Sequence, residues 1–559
     1  MSDPAAATAA DSYDYIVVGA GSAGCIMANR LTEDGASVLL LEAGGWDRDP
    51  LIHIPIAIGK IFPARMHDWG YFMQPDAGLD QRAIECARGK VIGGSSSVNV
   101  MAYVRGHRGD YERWRESGLH GWSYADVLPY FRRTETWEGG ADPYRGGTGP
   151  LKVRPTRYDD PLLASFIAAG GHAGHAETPD YNGAEQEGFG YIQQTIHRGR
   201  RCSAAVAYLR PILQRKSLRV VVNALVSRIV IESGRATGVA YCVAGQQRGA
   251  RARREVILCG GAIDTPKVLM LSGIGDPAQL TAHGIAVQVP SVAVGKNLRD
   301  HLSVMLSYRR RDQGPFEAAM RYDRLVRAML SSWLGGESFA SDVPTGVTAF
   351  VKTQPERLLP DIQFLFLSAP LPARAWMRPF ITPVADGFGC RVVLLRPQSS
   401  GTVTLASADP AHAPLIAPHF LTTETDRATL RHGVRLLRDV MAQPAMAKHL
   451  ASELAPGTEA VSDAAIDTFV RRTAVTVHHP CGTCRMGADD DANRVVDAQL
   501  RVCGLDGLRV VDASVMPDLV GGNINAVVMM IAEKAADLIR GRAAPDAGVS
   551  APLSRSGSS

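Results

Sequence analysis

No run of about 18 apolar residues occurs anywhere in the chain, so no membrane-spanning helix is expected. The N-terminal stretch MSDPAAATAADS lacks a basic patch followed by an apolar segment, so no export signal is expected either. Charge of one sign is also scarce. A net charge of +4 over 559 residues, with Arg interspersed among Asp and Glu, leaves no basic stripe for nucleic acid and no overall field to steer a substrate. Nine cysteines, at positions 25, 86, 202, 242, 259, 390, 481, 484 and 503, are scattered and odd in number. That pattern argues against a disulfide framework and for a reducing compartment, read as the cytoplasm. Internal repeats are missing. What remains is ordinary globular material, 46% hydrophobic and 21% charged. The length exceeds what one core usually supports, so two closely associated domains are expected.

After a polar lead ending at Asp14, Tyr15-Ile16-Val17-Val18 reads as a strand buried on both faces. A glycine loop follows at once, Gly19-Ala20-Gly21-Ser22-Ala23-Gly24. Residues 25–31 then carry apolar positions at helical spacing, and Ser37-Val38-Leu39-Leu40-Leu41 forms a second buried strand that ends at Glu42. Pro and Gly recur over 43–94 as a long loop excursion. Strand patterns return at 218–230 and at Glu255-Val256-Ile257-Leu258-Cys259, so the first domain is interrupted and resumed. Alternation between 304 and 468, as in Asp361-Ile362-Gln363-Phe364-Leu365-Phe366, fits an antiparallel sheet covered on one face. Leu508-Arg509-Val510-Val511-Asp512 leads into a helix over about 526–539, and a Pro/Gly/Ser-rich tail follows that is expected to be disordered. The expected fold class is mixed α/β. A Rossmann-type dinucleotide domain would come from 12–155, 215–303 and 470–541, and a substrate domain on a mostly antiparallel sheet packed with helices from 156–214 and 304–469, with the tail at 542–559.

The loop has the GxGxxG spacing, in which the first glycine permits a tight turn and the second lets backbone approach a pyrophosphate. The third allows helix and strand to pack closely. Phosphates then sit at a helix N-terminus, where unpaired N–H groups favour an anion. Glu42, at the end of the next strand, is placed to accept hydrogen bonds from ribose hydroxyls. Arg88-Gly89-Lys90-Val91-Ile92-Gly93-Gly94-Ser95-Ser96-Ser97-Val98-Asn99 reads either as a turn wrapping an extended cofactor or as a surface loop. Gly260-Gly261-Ala262-Ile263-Asp264-Thr265-Pro266, directly after a buried strand, is either a close backbone approach to ligand or a tight turn.

Taken together with GAIDTPKVLMLSGIG at 261–275, VGKNL at 294–298 with Asp300-His301, HHPCGTCRMG, and GGNINAVVMMIAEKAADLI near the C-terminus, these segments identify a resemblance. Over essentially its whole length the chain resembles the glucose-methanol-choline (GMC) oxidoreductase family. Residues 200–211, RRCSAAVAYLRP, are most similar to the bacterial choline-dehydrogenase and sorbose-dehydrogenase branch. The resemblance implies an FAD-dependent alcohol dehydrogenase or oxidase that converts a small-molecule alcohol to an aldehyde or ketone. It implies His479 as base and Asn525 as its partner, facing flavin N5. Imidazole is well matched to a hydroxyl proton near neutral pH, and an amide holds the oxygen without competing for the proton. His478 is a possible second contact.

Expected cofactor contacts are Gly19, Gly21, Ser22, Ala23 and Gly24, then Glu42 and Ala43, then Arg88, Val91, Gly94, Ser95 and Asn99. The resemblance adds Val226, reaching adenine through its backbone, and Ala262. It also places Asp512, Ala513, Asn523 and Asn525 at the flavin ring or ribityl chain. The helix N-terminus after Asn525 would stabilise negative charge near flavin N1. Some relatives hold FAD covalently through a His in the Gly-Gly-Ser region; Val98 stands at that position and has no nucleophile, so the FAD is expected to be noncovalent. Cys481 and Cys484 form a CxxC with no second pair at zinc-finger spacing and are read as packing residues, so no metal is expected. Phe364, Phe366, Trp376 and Phe380 line the substrate pocket or belong to the core, and His53, His120 and His412 are read as surface or structural. Reoxidation would use oxygen, a quinone or a dye-like acceptor, in a monomer or a homodimer. The alternative is a lyase with a redox-idle flavin, such as a hydroxynitrile lyase; a non-catalytic flavoprotein would not need both His479 and Asn525.

Overall fold

The structure, a computed structural model, describes residues 12–545. Most of the tail expected to be disordered lies outside the described residues; 542–545 carry no regular structure. The chain begins with β1 (Ser12–Val18), α1 (Ser22–Leu31) and β2 (Val38–Leu41). Ile16, Val17 and all of β2 are buried, as required of strands covered on both faces. After a long excursion the same sheet resumes with β3 (Leu218–Val221), β4 (Ala224–Glu232), β5 (Arg235–Val243) and β6 (Gln246–Leu258), and α2 (Gly261–Leu271) follows. The next strands are β7 (Leu302–Arg310), β8 (Val347–Val351), β9 (Ile362–Leu367) and β10 (Gly387–Leu394), then α3 (Glu424–Ala442), β11 (Leu450–Ala455) and β12 (Val475–Thr476). The chain returns through β13 (Leu508–Val510) to α4 (Asn525–Arg540).

The first sheet runs β4-β5-β6-β1-β2-β3, with β13 paired to the end of β6. β13, β6, β1, β2 and β3 are parallel, whereas β4 and β5 form an antiparallel meander on the early half of β6. β1 is therefore central, and the turn after it opens at the C-terminal edge of the parallel strands, where ligands of such sheets bind. α4 packs on α1 and is buried along most of its length. Its Glu533 carries a buried charge held by Arg30 at 2.8 Å, Arg133 at 2.8 Å and the Tyr208 hydroxyl at 2.8 Å.

The second sheet runs β11-β7-β10-β9-β8 and ends on Gly188–Tyr191; β12 also pairs with β7. Every neighbour is antiparallel. Alternation sorts its side chains by face. Phe364, Phe366, Val392, Val304 and Leu306 join a core with Leu430, Val434 and Leu437 of α3, where Phe166 stacks on Phe366 at 4.5 Å. Met305, Arg391 and Leu365 form one row across β7, β10 and β9 and share the other face. Phe364 and Phe366 are thus core, Trp376 donates its indole N–H to the Glu317 carbonyl at 2.7 Å, and Phe380 is 81% exposed. None of the four lines the pocket described below; Leu365, between two of them, does.

Candidate active site

A cavity of about 660 Å³ runs from the glycine loop to the HHP segment. That volume lies in the upper half of the ~300–1,000 Å³ range of cofactor and ligand sites. Three helices begin on its wall, α1 after Gly21, α2 after Gly260 and α4 after Ile524, and none of the three has a side-chain cap. The first N–H groups of α1 and α4 are left for whatever fills the cavity, an arrangement suited to phosphate oxygens and to a ring that gains negative charge, whereas the first N–H of α2, that of Gly261, is taken by Asp512. The glycines make the close approach possible. A Cβ on Gly94 would stand 2.7 Å from the Gly21 Cα, one on Gly19 2.6 Å from the Cys259 carbonyl oxygen, and one on Gly24 1.9 Å from the Gly19 oxygen. The Glu42 oxygens accept from the Ala20 and Gly44 N–H groups at 2.8 Å each, which aims the carboxylate into the cavity with lone pairs to spare. Burial pushes its pKa up to about 7. These residues fit an extended dinucleotide.

Most of the expected contacts line this cavity. Gly19, Gly21, Ser22 and Ala23 form one end with Glu42, Ala43 and Val226. Arg88, Gly94, Ser95 and Asn99 form a wall with Val98, so the Arg88–Asn99 segment lines the cavity and is not a surface loop. Ala262, Asp512, Ala513, Asn523 and Asn525 close it. Two expectations are corrected. Gly24 faces the Gly19 carbonyl and serves helix packing, and Val91 is turned away into a small cluster with Ile52 and Ile61. Asp512 lines the cavity with its carboxylate already engaged by Gly261 N–H, Thr265 Oγ1, and the N–H and Oγ of Ser514.

The reacting end is built around His479, which is buried. A third correction arises there. Asn525 does not touch His479: as the first residue of α4 it turns back to the glycine loop and accepts from Ser22 Oγ at 2.7 Å. Asn523, two residues earlier, donates from Nδ2 to His479 Nε2 at 3.2 Å, and its Oδ1 faces Gln363 Nε2 at 3.5 Å. On the far side of the ring, His479 Nδ1 meets His301 Nδ1 at 3.0 Å, and His301 Nε2 meets the Leu395 carbonyl at 3.0 Å. A carbonyl only accepts, so His301 carries its proton on Nε2 and presents a lone pair at Nδ1. His479 must then donate from Nδ1, which leaves Nε2 unprotonated toward the cavity. The main chain beneath is fixed by Asp300, whose carboxylate accepts from the His479 N–H at 2.8 Å and the Thr476 hydroxyl at 2.5 Å. Burial, then His301 and Arg88, hold the His479 pKa well below 6.5. His478 also lines the cavity, with Nδ1 accepting from the Ala87 N–H at 3.3 Å and Phe62 against its edge. Sequence reasoning gave His301 no role, although Asp300-His301 stood among the quoted motifs.

Cys481 and Cys484 are buried in the first core, where burial raises both thiols far above their usual pKa. Among the described residues no helix is long and apolar enough to cross a membrane.

The profiles of one family, described as GMC oxidoreductase, match residues 13–303 and 397–532. The chain is 45% identical over 547 residues to the mitochondrial choline dehydrogenase of Homo sapiens, covering 96% of this chain and 91% of that protein. It is 43% identical over 538 residues to the oxygen-dependent choline dehydrogenase of Brucella anthropi, covering 95% and 96%. Among solved structures, pyridoxine 4-oxidase from Mesorbium loti superposes with a TM-score of 0.84 at 32% identity, covering 95% of this chain and all of that one.

Proposed function

We infer the division of labour in the site from the premise that the chain belongs to the GMC oxidoreductase family: it is an FAD-dependent alcohol oxidoreductase, and His479 is its base. Bound in the cavity, FAD supplies the acceptor for the hydride that leaves the alcohol carbon. The alcohol oxygen takes the place between His479 and Asn523, accepting from Asn523 Nδ2 and donating its proton to His479 Nε2. The observation that carries this reading is the hydrogen-bond chain from the Leu395 carbonyl through His301, which makes Nε2 the accepting nitrogen of His479; the alcohol hydroxyl would replace Asn523 Nδ2 as its donor. Burial keeps water out and keeps the imidazole neutral. Asn525 and Ser22 tie the start of α4 to the glycine loop, a positioning task.

The segments 12–155, 215–303 and 470–541 serve as the FAD domain and 156–214 with 304–469 as the substrate domain, a division supported by how the strands distribute between the two sheets, except that Val475–Thr476 joins the second sheet. Nine free cysteines support a reducing compartment, the cytoplasm. The relatives and the structure named above are oxidoreductases, and no observation favours a lyase.

Anaerobic mixing of the holoenzyme with a panel of primary, secondary, aromatic and polyol alcohols tests the reading. At least one alcohol is expected to bleach the flavin, and His479→Ala to slow that step by about 10²–10⁴-fold with FAD still bound. An unchanged rate in the variant would overturn the assignment of the base.

A further inference from the structure

Among the described residues the buried arginines are matched to carboxylates, or in one case to carbonyls, and the half-buried Arg391 on the cavity wall is not. Arg105 is paired with Glu135, Arg145 with Glu135 and Asp180, Arg154 with Asp342 and Arg310 with Asp160. Arg201 is held by the carbonyls of Ile52, Ser96 and Asn99. Arg391, on the cavity face of β10, has no carboxylate within 4.0 Å among the described residues, and its hydrogen bond is a long one, Nη1 to Ser303 Oγ at 3.3 Å. Its surroundings are dry enough to lower its pKa by burial alone. A desolvated guanidinium without a counter-charge is costly and planar, with five donors in a fork that matches a carboxylate.

The wall around it does not supply the missing charge. Burial first, and then Arg88, Arg391 and Arg65, depress the His478 imidazole. Asp68 is taken by Arg65 at 3.0 Å and by the Arg88 N–H at 3.2 Å, and Glu85 is 35% exposed and 3.9 Å from His478 Nε2. The register places Arg391 on the sheet face that Gln363 shares. Gln363, which contacts Asn523, pairs with Val393, and Arg391 is the diagonal neighbour two residues along β10. Such diagonal pairs are about 7–8 Å apart.

We propose that the substrate is an alcohol that also bears a carboxylate, with the carboxylate on the Arg391 guanidinium and the hydroxyl between His479 and Asn523. This rests on the proposed base and deepens it by naming the substrate class. A quaternary ammonium alcohol such as choline would bring a further positive charge into a cavity whose wall already carries Arg65, Arg88 and Arg391.

The test uses the holoenzyme and three alcohols: 4-(hydroxymethyl)benzoate, the neutral 4-methylbenzyl alcohol of similar size, and choline. Flavin reduction under anaerobic conditions should be about 10- to 100-fold more efficient with the carboxylate than with the neutral alcohol, the ratio expected of one charge-assisted contact. In Arg391→Met that advantage should vanish through a weaker apparent Kd, with the limiting rate for the neutral alcohol kept. Calorimetry with unreactive 4-methylbenzoate gives a readout independent of turnover, and its Kd should rise at least tenfold in the same variant. Faster reduction by choline or by the neutral alcohol than by the carboxylate, or benzoate binding untouched in Arg391→Met, would overturn the substrate class and leave alcohol oxidation standing. If no alcohol of this set or of the wider panel bleaches the wild-type flavin, the reading of the site falls and the substrate class with it.

Discussion

At the scale of single residues, the site turns on one carbonyl. Leu395 fixes the tautomer of His301, and His301 fixes that of His479, so a group that touches no substrate decides which nitrogen is the base. His301→Ala should therefore retain FAD yet lower kcat/KM by about 10²-fold, the cost of a misoriented reacting group. The pH profile separates positioning from a merely structural role. A base acts when deprotonated, and the His479 pKa is held well below 6.5 by burial and next by His301, so the acid limb of wild-type kcat/KM lies below pH 6.5. Removing His301 relieves part of that depression and should move the limb upward; a limb that stays in place while the rate falls would count against the relay. His479 itself was legible because the motif around it is dense. The exchange of Asn523 for Asn525 was not, because both lie in one short motif and only the start of α4 decides their directions: Asn525, the first helical residue, turns toward Ser22, while Asn523, still outside the helix, faces His479. His301 was hidden for another reason. It sits 178 residues from its partner and reaches it only because β7 pairs with β12, Leu302 opposite Thr476.

At the scale of elements, the cavity wall carries three helix starts without a side-chain cap. The helix Arg108–Glu116 is capped by His107, Tyr124–Thr134 by Ser123 and Pro161–His172 by Asp160, whereas α1 and α4 offer bare N–H groups and α2 has its first N–H taken by Asp512. The turn at Gly94 brings one more backbone segment against the first of these. Gly94 has φ +53 and its Cβ would press on the Gly21 Cα, so Gly94→Ala should push the turn off the glycine loop and lower the flavin-to-protein absorbance ratio of the purified enzyme. Gly171→Ala is the matched control. It lies inside Pro161–His172 with nothing within 4 Å, and should be neutral or stabilising by about 0.5–1 kcal/mol. Equal FAD content in the two variants would show that the contact does not shape the cofactor site. The buried strands and the loop were readable because each is a local pattern. The order of the second sheet and the β4-β5 meander were not, since pairing partners are chosen across the chain and leave no local mark.

At the scale of the whole molecule, the cavity is shared by parts of the chain that are far apart in sequence: the loop at Gly19–Ala23, the turn at Arg88–Asn99, Val226 of β4, and the return through His479 and Asn525. Direct contacts join some of them, Ser22 to Asn525 and Arg88 to the His478 carbonyl among others. A cofactor filling the cavity would touch all of them, so its binding free energy adds to the cohesion of the fold. Where attachment is noncovalent, as Val98 at the position of the covalent ligand argues, that contribution follows mass action, RT ln(1 + [FAD]/Kd), or about 2.7 kcal/mol at a hundredfold excess over Kd. The midpoint of thermal unfolding should therefore climb with added FAD by several degrees, and hot acid should release all of the yellow chromophore into the supernatant. A midpoint indifferent to FAD together with colour retained in the pellet would establish a covalent bond and require a nucleophile other than residue 98 on the cavity wall.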